Sequence, residues 1–143
     1  MAGKAVTMSM KLEICPELGF LTVRAVGEFS LEEAGRTFLE MLEAVARHNV
    51  RKVLFDGRGL VGEPKTMERF YYGEFAARAV AAAAARFTQF AYVLEEPVLD
   101  PWRFGEIVAV NRGMFVKAFD NQEDALEWLS VPPANELDAG DDK

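Results

Sequence analysis

The sequence predicts an α/β fold built on a mixed, mostly parallel sheet with one antiparallel strand at its margin. Three observations lead to this prediction. Short apolar strands alternate with amphipathic helices in the order β-β-α-β-α-β-α-β-α, which favours parallel pairing through helical crossovers. The first two strands are joined by a short turn, which favours an antiparallel hairpin. The 143 residues, 50% of them hydrophobic, suit one domain with its own core.

The hairpin is read from two alternating segments. In "MKLEIC" (10–15) the residues Met10, Leu12 and Ile14 share one face. Turn residues follow in "PELG" (16–19), and "FLTVRAV" (20–26) alternates again. These segments predict two strands at the edge of the sheet.

The first helix is predicted from its cap and its apolar stripe. Ser30 is followed three residues later by Glu33, the spacing of a capping box. Asn49 follows the helix, and asparagine tolerates the left-handed backbone that many helix ends adopt. The apolar stripe consists of Leu31, Ala34, Phe38, Met41, Leu42 and Val45.

Three further strands and three further helices complete the order. The predicted strands are 52–55, 88–95 and 114–119. The predicted helices run from a Thr66 cap to about Arg86, from Asp100–Pro101 to about Gly113, and from an Asp120 cap with Glu123 three residues on. We expect one domain over residues 1–130, and an acidic, proline-rich tail over 131–143 that is predicted to be disordered.

Composition excludes several classes of function. The net charge of −7 argues against a nucleic-acid groove and against an anionic membrane surface. The most apolar helical stretch, Ala79–Ala85, is too short to enter and cross a bilayer. One cysteine, Cys15, and one histidine, His48, are too few for a zinc site or an intrachain disulfide. We therefore expect a cytoplasmic protein without a metal or another cofactor.

The segment "FDGRGLVGEP" (55–64) is predicted to be a surface loop beyond the middle strand. It lacks the Lys-Ser/Thr of a phosphate-binding loop and the spacing of a dinucleotide fingerprint. Asp56 is expected to form a turn with backbone N–H groups of its own segment. Gly57 or Gly59 is expected to take a positive φ, and Arg58 to meet solvent, an anion or an acidic neighbour.

Leu60 or Val61 is expected to anchor this loop by turning inward. The plain alternative is that the whole segment only connects two elements over the rim of the sheet.

Carboxylates follow the predicted strands, where open α/β sheets bind their ligands. The predicted acidic rim comprises Glu28, Asp56, Glu63, Glu95, Glu96, Asp100 and Asp120, with Arg58 and Arg103 as its cations. Such a rim suits a cation or a basic partner, although Asp100 and Asp120 are also explained as helix caps. A small enzyme using Asp56, Glu63 and Arg58 as acid, base and clamp is the least favoured hypothesis, because the sequence shows no environments that would separate the pKa values of the two carboxylates.

The second helix has a wider apolar arc than one core contact requires. Its aromatic residues are predicted to form a dimer surface, or to wall an apolar pocket together with the following helix, or simply to be buried. The residues concerned are Phe70, Tyr71, Tyr72, Phe75, Trp102 and Phe104.

Three segments, "VLFDGRGL", "FGEIVAVNRG" and "VKAFDNQEDALEWL", resemble the SpoIIAA-like (STAS-like) family over residues 9–130. The resemblance implies the fold of anti-sigma-factor antagonists, which is related to the lipid-carrying CRAL-TRIO domains. In the antagonists an aspartate precedes a phosphorylatable serine. Here Asp56 matches the aspartate, Gly57 replaces the serine, and the nearest hydroxyl downstream is Thr66.

The resemblance therefore implies a non-enzymatic binding or regulatory module without the phosphorylatable serine. We expect it to act through contact with a protein partner or with a second copy of itself. The alternative is a carrier or sensor of an apolar, lipid-like small molecule.

Overall fold

The computed structural model describes residues 9–130, within which five strands and four helices follow the predicted order. The strands are β1 Lys11–Pro16, β2 Leu21–Glu28, β3 Lys52–Val61, β4 Gln89–Val93 and β5 Phe115–Phe119. The helices are α1 Leu31–His48, α2 Thr66–Ala82, α3 Phe104–Asn111 and α4 Gln122–Leu129. The predicted tail, 131–143, lies outside the described residues.

The strands form one sheet in the order β1-β2-β3-β4-β5. β1 pairs antiparallel with β2, from Lys11 opposite Val26 to Pro16 opposite Leu21. The remaining neighbours pair in parallel. The predicted mixed sheet with an antiparallel margin is confirmed.

The helices cover the two faces of the sheet unequally. Residues of α1, α2 and α3 share the larger core with one face, where Phe38 packs against Phe90 and edge-on to Tyr72. α4 covers the other face, where Ala125 and Leu129 pack on the strands in a smaller core. In the described part of the chain, no helix is long and apolar enough to cross a membrane.

The cap of α1 differs in one respect from its prediction. The Ser30 hydroxyl accepts a hydrogen bond from the Glu33 N–H at 3.2 Å, as expected. The Glu33 carboxylate, however, accepts from the Met10 N–H at 2.6 Å, so it ties the residue before β1 to α1 instead of closing a capping box. Asn49 has the predicted left-handed backbone, with φ 53° and ψ 48°.

The starts of the other helices correct the sequence prediction by one to four residues. α2 is capped by Lys65, whose N–H donates to the Glu68 carboxylate at 2.8 Å, so that Thr66 is its first residue and not its cap. α2 also ends at Ala82, before Arg86. α4 is capped by Asn121, whose side-chain oxygen accepts from the Asp124 N–H at 2.8 Å, in place of Asp120.

α3 begins at Phe104, four residues after the predicted cap. The Asp100 carboxylate accepts hydrogen bonds from the N–H groups of Trp102 and Phe104, at 3.3 and 2.9 Å. It therefore organises a turn ahead of the helix, and Arg103 between these two residues takes a left-handed backbone with φ 55° and ψ 40°.

The predicted loop at 55–64 is wrong for most of its length, because β3 continues to Val61. β4 pairs with β3 only as far as Asp56, whereas β2 accompanies β3 to its end, where Glu28 lies opposite Val61. The backbone of 59–61 therefore pairs with β2, whereas Gly57 and Arg58 lie at an irregularity in this pairing, where the Arg58 N–H donates to the Asp56 carboxylate. Within the segment 55–64, the glycine with positive φ is Gly62, at 114°, and not Gly57 or Gly59.

Candidate ligand-binding site

An apolar cavity of about 140 Å³ lies between the sheet and helices α2 and α3. An apolar cavity of about 150 Å³ in another protein is known to hold benzene, so this space suits one ring or a short alkyl chain. Apolar side chains from β3, from β5 and from the segments after β4 and before β5 line it: Phe55, Leu60, Leu94, Val98, Met114 and Val116.

One wall is the part of β3 that extends past β4. Gly57 is buried there, and a Cβ atom on it would lie 2.6 Å from the Leu94 Cδ2 and 3.0 Å from the Phe55 Cε1. Glycine is thus needed for the close approach of side chains. Leu60 packs against the core, which confirms the predicted inward anchor, while Val61 is 54% exposed.

The opposite wall is the crossing of α2 and α3. A Cβ atom on Gly73 of α2 would lie 2.6 Å from the carbonyl oxygen of Gly105 and 3.3 Å from Val108 side-chain atoms. The two helix backbones therefore meet at a distance that only glycine permits. Gly73 and Gly105 both line the cavity, so this contact fixes the position of the helical wall.

Two tyrosines bring their hydroxyl groups together at the cavity. The Tyr72 and Tyr92 hydroxyl oxygens lie 2.7 Å apart in a hydrogen bond. Tyr92 also stacks on Phe55, with ring centroids 4.4 Å apart. Burial raises the pKa of Tyr72 to about 12, and burial together with the neighbouring Tyr72 raises the pKa of Tyr92 well above its ordinary value. Both hydroxyl groups are therefore protonated near neutral pH.

Three of the four ionisable side chains that line the cavity besides the tyrosines bind backbone groups. Arg69 donates to the carbonyl oxygens of Pro97 and Val98, at 2.8 Å each. The Asp100 carboxylate holds the turn before α3, as described above. Glu106 accepts a hydrogen bond from the Ala118 N–H at 3.0 Å. These hydrogen bonds hold the three side chains against the backbone at the cavity.

Arg103 is the exception among them. Its Nε atom is buried and has no hydrogen-bond partner in the described structure. A buried donor without a partner costs about 1–3 kcal/mol. The left-handed backbone of Arg103 costs roughly 1–2 kcal/mol more for a residue with a side chain. Both the unpartnered donor and the left-handed backbone of Arg103 therefore lower the stability of the folded chain.

The Asp56–Arg58 pair lies on β3 outside the lining of the cavity. The Asp56 Oδ1 accepts from the Arg58 backbone N–H at 3.1 Å and from its Nε at 2.9 Å, and Oδ2 accepts from a terminal guanidinium nitrogen at 3.0 Å. The predicted turn at Asp56 and the acidic neighbour of Arg58 are thus confirmed. The hydrogen bond from Arg58 lowers the pKa of the Asp56 carboxyl against the effect of burial. Arg58 also donates to Gln122 at 3.0 Å, which links β3 to α4.

The hypothesis of an enzyme built on this pair and Glu63 finds no support in the geometry. Glu63 is exposed, and within residues 9–130 it forms no hydrogen bond or ion pair with Asp56 or Arg58. In the same range, no group of three His, Cys, Asp or Glu side chains could hold a metal ion.

A shallow groove between α1 and α2 gathers a second set of the predicted residues. Its apolar lining consists of Leu31, Gly35, Leu39, Tyr71, Tyr72 and Phe75. Leu39 is 50% and Tyr71 48% exposed. Charged residues of both signs border the groove, namely Glu32, Arg36, Glu74 and Arg78. Arg78 forms a salt bridge with Glu74 at 3.5 Å, and Arg36 forms one at 3.2 Å with Glu40, which lies outside the groove lining.

The structure separates the predicted aromatic residues. Tyr72 lines the cavity, whereas Tyr71 and Phe75 line only the groove. Phe70 stacks with Phe104, with centroids 6.4 Å apart, and does not line the cavity. None of Phe70, Tyr71, Trp102 and Phe104 lines the cavity, so the predicted crevice between them does not coincide with it, and Trp102 is 83% exposed.

Sequence reasoning missed three of the ionisable residues of the cavity, namely Arg69, Tyr92 and Glu106, and assigned Arg103 only to the acidic rim. The sequence does indicate a special role for Tyr92, because a hydroxyl group within the buried strand "QFAYV" requires a polar partner. The two arginines had a weaker signal, since each stands among aromatic residues in the sequence.

Comparisons with solved structures agree with this architecture, whereas no protein-family model and no curated protein matches the chain. Among solved structures, an anti-sigma factor antagonist from Mycobacterium paratuberculosis is similar with a TM-score of 0.55 and 15% identity, over 86% of this chain and 96% of that one.

An uncharacterised protein of the DUF3478 family with a SpoIIAA-like fold, from Shewanella loihica PV-4, is similar with a TM-score of 0.52 and 18% identity, over 88% of this chain and 98% of that one. At this level of identity the similarity concerns the fold. The resemblance predicted from the sequence is confirmed: the chain has the SpoIIAA-like fold.

Proposed function

We propose that the chain is a non-enzymatic regulatory module that binds a small apolar molecule in the cavity between the sheet and α2–α3. The observation that carries the proposal is the cavity itself, which is ring-sized, lined mainly by apolar side chains and bounded by glycine contacts. Cavities of this kind, with a few placed polar groups, are the usual form of small-molecule sites.

The polar groups of the cavity suit binding better than catalysis. Tyr72 and Tyr92 are held in their protonated form by burial, so neither serves as a base near neutral pH. Arg69, Asp100 and Glu106 are already engaged with backbone groups. Such groups position a ligand and its surroundings without transferring protons.

The size of the cavity limits which apolar small molecule the chain can carry, a point that the sequence left open. A long acyl chain exceeds a space of about 140 Å³, whereas one aromatic ring or a short alkyl chain fills it. The proposed ligand is therefore much smaller than a membrane lipid. The cytoplasmic location, and the absence of nucleic-acid binding and of membrane insertion, remain predictions from the sequence.

Titration with toluene, followed by two-dimensional amide NMR, tests the proposal. We expect shifts at amides around the cavity, and their loss in Ala76→Leu, which fills the cavity from α2. Ala81→Leu, on an exposed position of the same helix, is the matched control and retains binding. Equal shifts in both variants, or none in the wild type, would contradict the proposal.

A second function, contact with another copy of the chain, is favoured by the α1–α2 groove. Leu39 and Tyr71 expose apolar surface beside charges of both signs, which a two-fold related copy can match. The solved antagonist with this fold is named for its action on a regulatory protein, which supports a role in protein contacts. The absence of a phosphorylation switch also stays part of this proposal.

Sedimentation velocity over a range of concentrations tests self-association. We expect a dimer that dissociates in Leu39→Glu, because the new charge lies in the groove. Leu126→Glu is the matched control, since Leu126 is 40% exposed on α4, on the other face of the sheet. A wild-type chain that stays monomeric at several hundred micromolar would rule out this function.

A further inference from the structure

Arg103 is the residue of the cavity whose properties an apolar ligand alone leaves unexplained. Its Nε donor is buried and unpartnered, and no salt bridge involves its guanidinium within residues 9–130. The Asp100 carboxylate, bonded to the N–H groups on both sides of Arg103, holds its backbone in the left-handed conformation. The fold thus keeps a cationic donor at the cavity without giving it an acceptor.

We propose that the ligand is a small monocarboxylic acid, whose apolar body fills the cavity and whose carboxylate binds Arg103. This inference rests on the proposed function and specifies the chemical class of the ligand. A guanidinium presents two parallel N–H donors that match the two oxygens of a carboxylate. A carboxylate therefore supplies the missing counter-charge, and the Nε donor reaches it when the Arg103 side chain turns toward the cavity.

Within the described residues, no charged neighbour of Arg103 forms a salt bridge with its guanidinium, so the guanidinium can still bind the carboxylate of a ligand. Of the carboxylates that line the same cavity, Asp100 binds two N–H groups and Glu106 binds the Ala118 N–H. Arg103 also lines a shallow depression beside α4, together with Lys117, Asp120, Asp124 and Glu127. Asp120 and Asp124 there accept hydrogen bonds from the Asn121 amide. Arg103 thus lies between the cavity and the surface, where a carboxylate head stays partly hydrated.

A matched series of three probes isolates the contribution of the carboxylate. Toluene supplies the ring alone, benzamide adds a neutral acceptor, and benzoate adds the charge. We expect the wild-type chain to bind benzoate at least about tenfold more tightly than benzamide, as amide NMR titrations can measure.

Arg103→Asn removes the guanidinium and keeps a residue that tolerates the left-handed backbone. In this variant we expect benzoate to lose its advantage over benzamide, measured as the ratio of the two affinities within the same variant. Arg103→Lys, which keeps the charge but lacks the forked donors, is the second variant, and we expect it to lose at least about threefold of the benzoate preference. It decides the question if the first variant does not fold.

The outcomes separate this inference from the proposed function. If toluene binds but benzoate has no advantage over benzamide, or keeps its advantage in the Arg103 variants, the carboxylate is wrong and the cavity function stands. If none of the three probes binds the wild-type chain, the proposed function fails and this inference fails with it.

Discussion

The two walls of the cavity both depend on glycine, yet they differ in what the glycine faces. On the helical wall, Gly73 of α2 faces a backbone oxygen of α3, the Gly105 carbonyl. On the strand wall, Gly57 of β3 faces the ends of flexible side chains, with Leu94 the closest. A backbone contact between two helices cannot relax locally, whereas a leucine can change its rotamer. The helical wall is therefore rigid, and the strand wall is the one that can adapt to a ligand.

Gly73→Ala tests the rigid wall and has the largest expected effect on stability. A glycine inside a helix normally gains about 0.5–1 kcal/mol on replacement by alanine. Here the added Cβ would lie 2.6 Å from the Gly105 oxygen, so α2 and α3 must move apart. We expect a net loss of about 2 kcal/mol in the free energy of unfolding, measured by urea denaturation.

Gly35→Ala is the matched control for this change. Gly35 is also inside a helix, but a Cβ there meets the Phe75 ring at an ordinary 3.5 Å. We expect a gain of about 0.5–1 kcal/mol. Similar values for the two variants would show that the α2–α3 crossing has room for a methyl group, and would remove the distinction between the walls.

Tyr92→Phe tests the hydrogen bond that joins the helical wall to the sheet. Phenylalanine keeps the stacking on Phe55 but leaves the Tyr72 hydroxyl without its partner. We expect a loss of about 1 kcal/mol, and a smaller loss in the double variant Tyr72→Phe/Tyr92→Phe, because replacing both partners leaves no orphan hydroxyl. A double variant that is less stable than either single variant would contradict this account.

The same pair predicts how stability depends on alkaline pH. The pKa of Tyr72 rises to about 12 in the folded chain, from an ordinary value of 10. The unfolded chain therefore loses its tyrosine protons first, and the free energy of unfolding falls as the pH rises from about 10 to 12. Urea unfolding at pH 8 and pH 11 measures this loss, which we expect to be smaller in the double phenylalanine variant.

The sequence predicted the order of the elements better than the local role of its glycines. Alternating and helical periodicities determine which faces are buried, so the sheet and its helices followed from pattern alone. A glycine-rich segment after a short strand has the same sequence pattern whether the chain turns there or the strand continues. Here pairing with β2 carries β3 on to Val61, and that pairing depends on contacts distant in sequence.

The cavity was harder to predict for a related reason. Its polar residues come from α2, β4, the turn before α3, and α3 itself, so only the fold brings Arg69, Tyr92, Arg103 and Glu106 together. The left-handed backbone of Arg103 carried no sequence signal, because Asp100–Pro101 is typical of an ordinary helix start.

Gly57→Ala tests the adaptable wall, with a smaller expected effect than Gly73→Ala. The new Cβ displaces the Leu94 side chain, which we expect to cost about 1 kcal/mol. Since Leu94 lines the cavity, we also expect toluene affinity to change. Gly57→Ser, which adds a hydroxyl group, should cost more, because its oxygen lies among Phe55, Leu60 and Leu94. A loss as large as that of Gly73→Ala would show that both walls are equally rigid.

Asp56→Asn has the smallest expected effect, and it tests whether the outer surface of the strand wall matters for stability. The Asp56–Arg58 ion pair is bidentate, but 39% of the Arg58 side chain is exposed, and exposed pairs contribute at most about 1 kcal/mol. The pKa of Asp56 is lowered in the folded chain, so the contribution is present above the unfolded value of 3.8 and is lost as the pH falls through the folded value. We therefore expect wild type and variant to differ by less than about 1 kcal/mol in the free energy of unfolding at pH 7, and by less still at pH 3.

Glu40→Gln, which breaks the exposed Arg36–Glu40 pair, is the matched control for Asp56→Asn. A loss well above that of Gly57→Ala would mean that the link from Arg58 to Gln122 of α4 holds the strand wall in place, and that this wall is less adaptable than the contacts of Gly57 indicate.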